Sequence, residues 1–133
     1  MQLRALVDSG ATCSALSLKT FSRLPHSIRR TLTAEKPGVA DASGSPLNVR
    51  GTVMIPFKFP NVQRTFHFPF VVIDNLTSEA ILGYDMKLQF DLELLPRQHC
   101  LLLEGMQRIP LLPISELEPE HVSTLMLTSR RFK

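Results

Sequence analysis

The sequence predicts an all-β fold with one or two short helices, for three reasons. Residues 65–73, TFHFPFVVI, place Phe66, Phe68, Phe70 and Val72 on one side of an extended chain, the period of two that a strand against a core requires. Residues 53–59, VMIPFKF, set Val53, Ile55, Phe57 and Phe59 against Met54, Pro56 and Lys58 in the same way. Ten prolines among 133 residues, with few stretches of helical periodicity, divide the rest into short elements joined by turns. The length suits one domain, and 44% hydrophobic content supports a globular core.

Taken in order, residues 3–7 (LRALV) are apolar enough for a short buried strand, and Asp8-Ser9-Gly10 then supplies turn chemistry. Residues 13–16 continue as a strand, and Ser17 can N-cap a short helix that reaches about Leu24 before Pro25. Residues 25–38 read as a polar connection with one short turn. Residues 39–40 and 47–53 are two extended arms around Ala42-Ser43-Gly44-Ser45-Pro46, a hairpin tip able to bend. The strand at 53–59 is expected at a sheet edge, because Pro56 donates no hydrogen bond. Ala80-Ile81-Leu82 is a short buried strand, and Gly83 allows close approach of backbones. Asp85 is placed as a helix cap before Met86, Leu88 and Phe90. Residues 91–96 and 99–105 form a strand pair about Pro96-Arg97. Beyond Gly105 prolines and glutamates accumulate, so the domain is assigned to 1–105 and a C-terminal linker or tail to 106–133.

Composition removes several classes of function. No stretch nears the roughly 20 apolar residues that span a bilayer, and Arg4 and Asp8 interrupt any signal-peptide layout. A net charge of +3 with no Trp and one Tyr offers neither a basic stripe nor stacking aromatics, which argues against a nucleic-acid partner. Two cysteines, Cys13 and Cys100, fit core thiols in a reducing, intracellular and cytoplasmic setting. The four histidines, His26, His67, His99 and His121, show no metal-ligand spacing with them, and no motif supports a Cys–His nucleophile. No metal and no cofactor are expected.

The chemistry concentrates at Asp8. A carboxylate between a buried strand and a tight turn is partly withdrawn from water. The structural reading is a turn residue that caps its own backbone; the functional one is an acid–base group. The stretch ALVDSGAT, followed at a distance by EAILGYD (Glu79 to Asp85), resembles the active-site loop and the apolar-apolar-Gly segment of the retropepsins, the retroviral and LTR-retrotransposon type of aspartic protease. Between them, VADASGSPLNVRGTVMIPFKF resembles the flap hairpin and the strand after it, so the resemblance covers about residues 3–103.

The resemblance implies a closed acid-protease β-barrel acting as a homodimer on extended polypeptides, its own retroelement polyprotein foremost. Such catalysis needs two carboxylates that share a proton, one activating water and one polarising the scissile carbonyl. This chain has one Asp-Ser-Gly. The VVIDN stretch mimics it, but Asn75-Leu76 cannot form the turn, and Asp85 also lacks it. The second carboxylate is therefore assigned to Asp8 of another copy. By resemblance Asp8 is catalytic, while Ser9, Gly10, Ala11 and Thr12 form the active-site loop. Ala40, Asp41, Ala42, Ser43, Gly44 and Ser45 form the flap over the peptide, and Ile81, Leu82 and Gly83 buttress the loop.

One departure stands out. Retroviral members carry an N-terminal strand and hairpin that help knit the dimer, and here seven residues precede Asp8. Either the sequence is cut from a longer polyprotein or the dimer uses other elements, with the strand at 100–103 as candidate. The alternative function is a weakly active or inactive module of the same fold that dimerises or binds peptides.

Overall fold

The computed structural model describes residues 1–38, 47–113 and 120–128. The expected flap, residues 40–45, lies outside them. The strands are β1 (Gln2–Val7), β2 (Ala15–Ser17), β3 (Val49–Lys58), β4 (Phe66–Ile73), β5 (Ala80–Leu82), β6 (Leu92–Leu95), β7 (Cys100–Leu103), β8 (Gln107–Pro110) and β9 (Val122–Leu127). The helices are α1 (Leu18–Ser22), α2 (His26–Arg29) and α3 (Tyr84–Phe90), with a 3₁₀ turn at Pro96–Gln98. The described residues are mostly β, with three short helices rather than one or two. No helix among the described residues is long and apolar enough to cross a membrane.

Six strands close into a barrel in the order β1-β5-β2-β4-β3-β9, and β6-β7-β8 form a separate sheet. The alternating faces read from the sequence fill the barrel. Val53, Ile55, Phe57 and Phe59 of β3 and its end are fully buried, and so are Phe70 and Val72 of β4. Phe57 meets Phe59 and Phe70 edge-on, with ring centroids 5.4 and 6.1 Å apart. Burial on this scale contributes roughly 1.5–3 kcal/mol per large side chain. The opposite face of β4 is also covered, because Val71 and Ile73 pack with Ala15 and Val49 in a second cluster.

Ser17 caps α1 as the sequence predicts, its hydroxyl accepting the Thr20 N–H at 3.0 Å. Helix α2 escapes pattern reading because Ile28 is its one buried residue. Helix α3 starts two residues earlier than expected: Gly83 is its N-cap and Asp85 lies within its first turn.

Three further expectations change. Strand β3 is not an edge strand, since it pairs with β4 on one side and β9 on the other. Pro56 is tolerated because it sits where the ladder to β9 ends. That ladder pairs Phe57 with Leu127 and Lys58 with Met126, and the Pro56 carbonyl accepts the Thr128 N–H. Strand β7 pairs with β6 and β8 on its two sides, so its backbone is not free to knit a dimer; β6 and β8 are the sheet edges.

The described residues of the segment expected as a linker or tail, 106–133, include two strands. Strand β8 extends the second sheet, and β9 runs antiparallel to β1 from Gln2↔Met126 to Leu6↔Val122. The flank of β1 away from β5 is thus filled from the C-terminal part of the chain. Leu125 is fully buried there.

Candidate active site

Strand β5 separates β1 from β2. It is parallel to β1, with Val7 opposite Leu82, and antiparallel to β2, with Ala15 opposite Ile81. The connection from β1 to β2, residues 8–14, therefore has to cross the end of β5. That crossing is the stretch singled out by the sequence.

The loop is fastened at its start from both flanks. The Val7 N–H donates to the His121 carbonyl at 2.9 Å, and the Asp8 N–H to the Leu82 carbonyl at 3.0 Å. The Ala11 N–H donates back to the Asp8 carbonyl at 3.1 Å, closing a four-residue turn. Asp8 Oδ1 accepts the Gly10 N–H at 2.9 Å. Asp8 thus does cap its own turn, and among the described residues no hydrogen bond engages Oδ2. Asp8 is half-buried, and Ser9, Gly10 and Thr12 are exposed.

Gly10 serves this turn through space rather than through backbone angle. It does not have positive φ, and an added Cβ would stand 3.2 Å from Asp8 Oδ1. Gly83 is more constrained. A Cβ there would lie 2.7 and 2.8 Å from the Cys13 carbonyl carbon and oxygen and 2.9 Å from the Ala11 oxygen, all backbone atoms. Beyond it the Tyr84 N–H donates to the Ala11 carbonyl at 2.7 Å and the Asp85 N–H to the Thr12 carbonyl at 3.3 Å. Leu82 and Gly83 are buried and Ile81 is half-buried. Leu82 and Gly83 thus lie against the loop, through Asp8, Ala11 and Cys13, whereas Ile81 is paired with Leu6 and Ala15 on the neighbouring strands.

Sequence reading missed Ser14 and Asp85. The Asp85 carboxylate accepts the Ser14 N–H and hydroxyl, and the Ser14 hydroxyl accepts the Gly83 N–H. Their separation in sequence hides the pair. The signal available was Asp85 itself, one residue beyond the Gly-Tyr step. Cys13 is half-buried, and the Thr12 hydroxyl lies 3.9 Å from its sulfur.

The chain leaving the residues 39–46 is tied down close by. Asn48 and Arg50 both donate to the Asp74 carboxylate, and the Asp74 N–H donates to the Asn48 carbonyl at 3.0 Å. The Arg50 hydrogen bonds, joined by its charge and by Asn48, hold the Asp74 carboxyl below the ordinary carboxylate value despite some desolvation. The register shifts between Val49 and Gly51. Gly51 has φ 153°, and a Cβ would fall 2.2 Å from the Thr33 oxygen, so this irregularity needs glycine.

A small apolar cavity opens beside the loop, bounded by Val7, Ser9, Leu82, Lys87, Leu92 and Leu101. One chain thus presents one turn-held carboxylate, and the hollow adjoins its loop at Val7 and Ser9.

The fold is similar to that of the retroviral protease-like domain of Ddi1 from Leishmania major. The TM-score is 0.63 and the sequence identity 23%, over 84% of this chain and 86% of that one. No protein-family model matches the chain, and no curated protein matches it. The retropepsin-like fold expected from ALVDSGAT and EAILGYD is the fold observed.

Proposed function

We propose that the chain is an aspartic endopeptidase of retropepsin type, active as a symmetric homodimer in which two Asp8 carboxylates share a proton and activate water. The observation that carries this reading is the Asp8 turn. One carboxylate oxygen is fixed by the Gly10 N–H, and the other is engaged by no hydrogen bond among the described residues. The loop around it is braced on β5 in a retropepsin-like fold. A single carboxylate cannot both hold and lack the proton, so a second copy completes the site.

The face a second copy covers is the apolar hollow beside Ser9 and the adjoining edge of β6. Leu92 and Leu94 line that hollow, and β6 carries neither proline nor lysine to guard its open edge. By this reading Ser9 steadies the two loops across the two-fold axis. Gly10, Ala11 and Thr12 meet the substrate backbone, and residues 40–45 close over it. The substrate is an extended, largely apolar peptide; the parent polyprotein of an LTR retroelement is its natural source, and the cytoplasm its setting.

The test is cleavage of an unstructured polypeptide by the purified chain and by Asp8→Asn. Cleavage abolished in the variant supports the reading. A folded, dimeric wild-type chain that cuts nothing but retains peptides would make it a binding module instead, with Asp8 as a turn cap.

A further inference from the structure

Three donors converge on one carboxylate that the proposed chemistry does not use. Asp85 accepts the Ser14 N–H at 3.0 Å on either oxygen, the Ser14 hydroxyl at 2.7 Å and the Met86 N–H at 2.7 Å, the last two on Oδ1. With its proton committed to Asp85, the buried Ser14 hydroxyl accepts the Gly83 N–H at 2.9 Å.

A carboxylate in the first turn of a helix is commonly explained by the helix alone. Here only the Met86 bond serves α3. The other bonds reach Ser14, the far end of the loop that Asp8 begins. Residues 82–85 hold that loop along its length: the Leu82 carbonyl takes Asp8, the Gly83 N–H takes the Ser14 hydroxyl, the Tyr84 N–H takes Ala11 and the Asp85 N–H takes Thr12. The Asp85 side chain fixes the end of this template that would otherwise leave the Ser14 N–H and hydroxyl without acceptors. Those groups are buried, so the loop would move to satisfy them.

We infer that Asp85 and Ser14 are positioning residues, which set where the Asp8 carboxylate stands relative to the carbonyls of Ala11 and Thr12. The inference rests on the protease reading for its kinetic consequence, but not for its geometry. Displacing a reacting group by about 1 Å costs on the order of a hundredfold in rate. The effect belongs mainly in kcat, because the reacting carboxylate is displaced while the substrate keeps its apolar contacts and loses at most part of its backbone contacts to the loop.

The experiment compares Asp85→Ala, Asp85→Asn, Ser14→Ala and the double variant Ser14→Ala/Asp85→Ala with the wild-type chain. Peptide cleavage is measured at protein concentrations that saturate the dimer, and amide hydrogen exchange is followed on the same samples. The alanine variants should lose about tenfold to a hundredfold in kcat, with KM changed less than about threefold. The double variant should be no worse than the worse single, since both act through one network. Asp85→Asn, which keeps an oxygen for the Oδ1 donors, should recover part of the rate. Exchange should quicken at Gly10, Ala11 and Tyr84, while β3 and β4 keep their protection.

Unchanged kcat in Asp85→Ala, additive losses in the double variant, or rates that follow melting temperature alone would overturn the inference. If the wild-type chain does not cleave but the exchange pattern appears, the protease reading fails and the positioning of the loop stands. If the exchange pattern is absent as well, both fail.

Discussion

The two oxygens of Asp8 have different surroundings, and that difference separates its structural use from its chemical one. Asn at this position keeps an oxygen for the Gly10 N–H, so Asp8→Asn should fold and melt within about 0.5 kcal/mol of wild type. It lacks the ionisable carboxylate, so peptide cleavage should vanish. Melting curves and a cleavage assay on one sample check both halves. Gly83→Ala should act in the opposite way. Its Cβ would meet backbone atoms of Ala11 and Cys13 at 2.7–2.9 Å, and backbone gives way only by shifting the loop. A loss of about 1–3 kcal/mol in denaturant unfolding is expected, and activity should fall with it. Asp74 predicts a pH effect. Its carboxyl value is lowered in the folded chain, first by the Arg50 hydrogen bonds. The contribution of the clamp is therefore fully present above the ordinary carboxylate value. It is lost as pH falls through the lower folded value. Acid unfolding curves of wild type and Asp74→Asn should diverge near neutral pH and converge below about pH 4. At this scale Asp8 and Gly83 were legible, because each sits in a short motif whose chemistry is local. Asp85 was not: an aspartate at a helix start satisfies the capping rule, and its partner Ser14 is found only once the loop crosses β5.

The elements that the sequence revealed are those whose faces alternate cleanly. Strands β3 and β4 carry Val53, Ile55 and Phe57, and Phe66, Phe68, Phe70 and Val72, at every second position, and both lie where periodicity placed them. Strand β9 reverses that logic. Its fully buried positions are Ser123 and Leu125, while Val122, Thr124 and Met126 remain half-buried. A serine inside and a methionine outside erase the period of two, and the prolines and glutamates before it suggested a tail. Helix α2 was hidden in a similar way, by having a single buried residue. The pairing of β9 with β1 and β3 predicts that its loss is costly. Leu125→Ala should destabilise the chain by about 2–5 kcal/mol, the range for a buried leucine truncated in a packed core. A chain ended at Pro113 should lose the cooperative unfolding transition, since edges of β1 and β3 would be left open. Urea titrations of both settle the point: a midpoint equal to wild type would restore the tail assignment.

For the whole molecule, the single Asp-Ser-Gly turn was the most informative feature of the sequence, because it supplies one such carboxylate per chain and so leads to the proposed dimer. The arrangement of strands around that turn was less accessible. Nothing local indicates that the flank of β1 is closed by residues 122–127, or that β7 lies inside its sheet with β6 at the edge. The proposed dimer makes activity depend on assembly, so specific activity should rise with protein concentration until the dimer is saturated. The central claim, that one site is built from two copies of Asp8, is tested most directly by mixing. Wild-type chain and Asp8→Asn are combined in varying ratio at fixed total concentration, allowed to exchange subunits, and assayed for peptide cleavage. If each site needs a carboxylate from both chains, mixed dimers are inactive and the rate falls as the square of the wild-type fraction. A rate that falls in direct proportion to that fraction would mean that each chain carries a complete site, and would contradict the account.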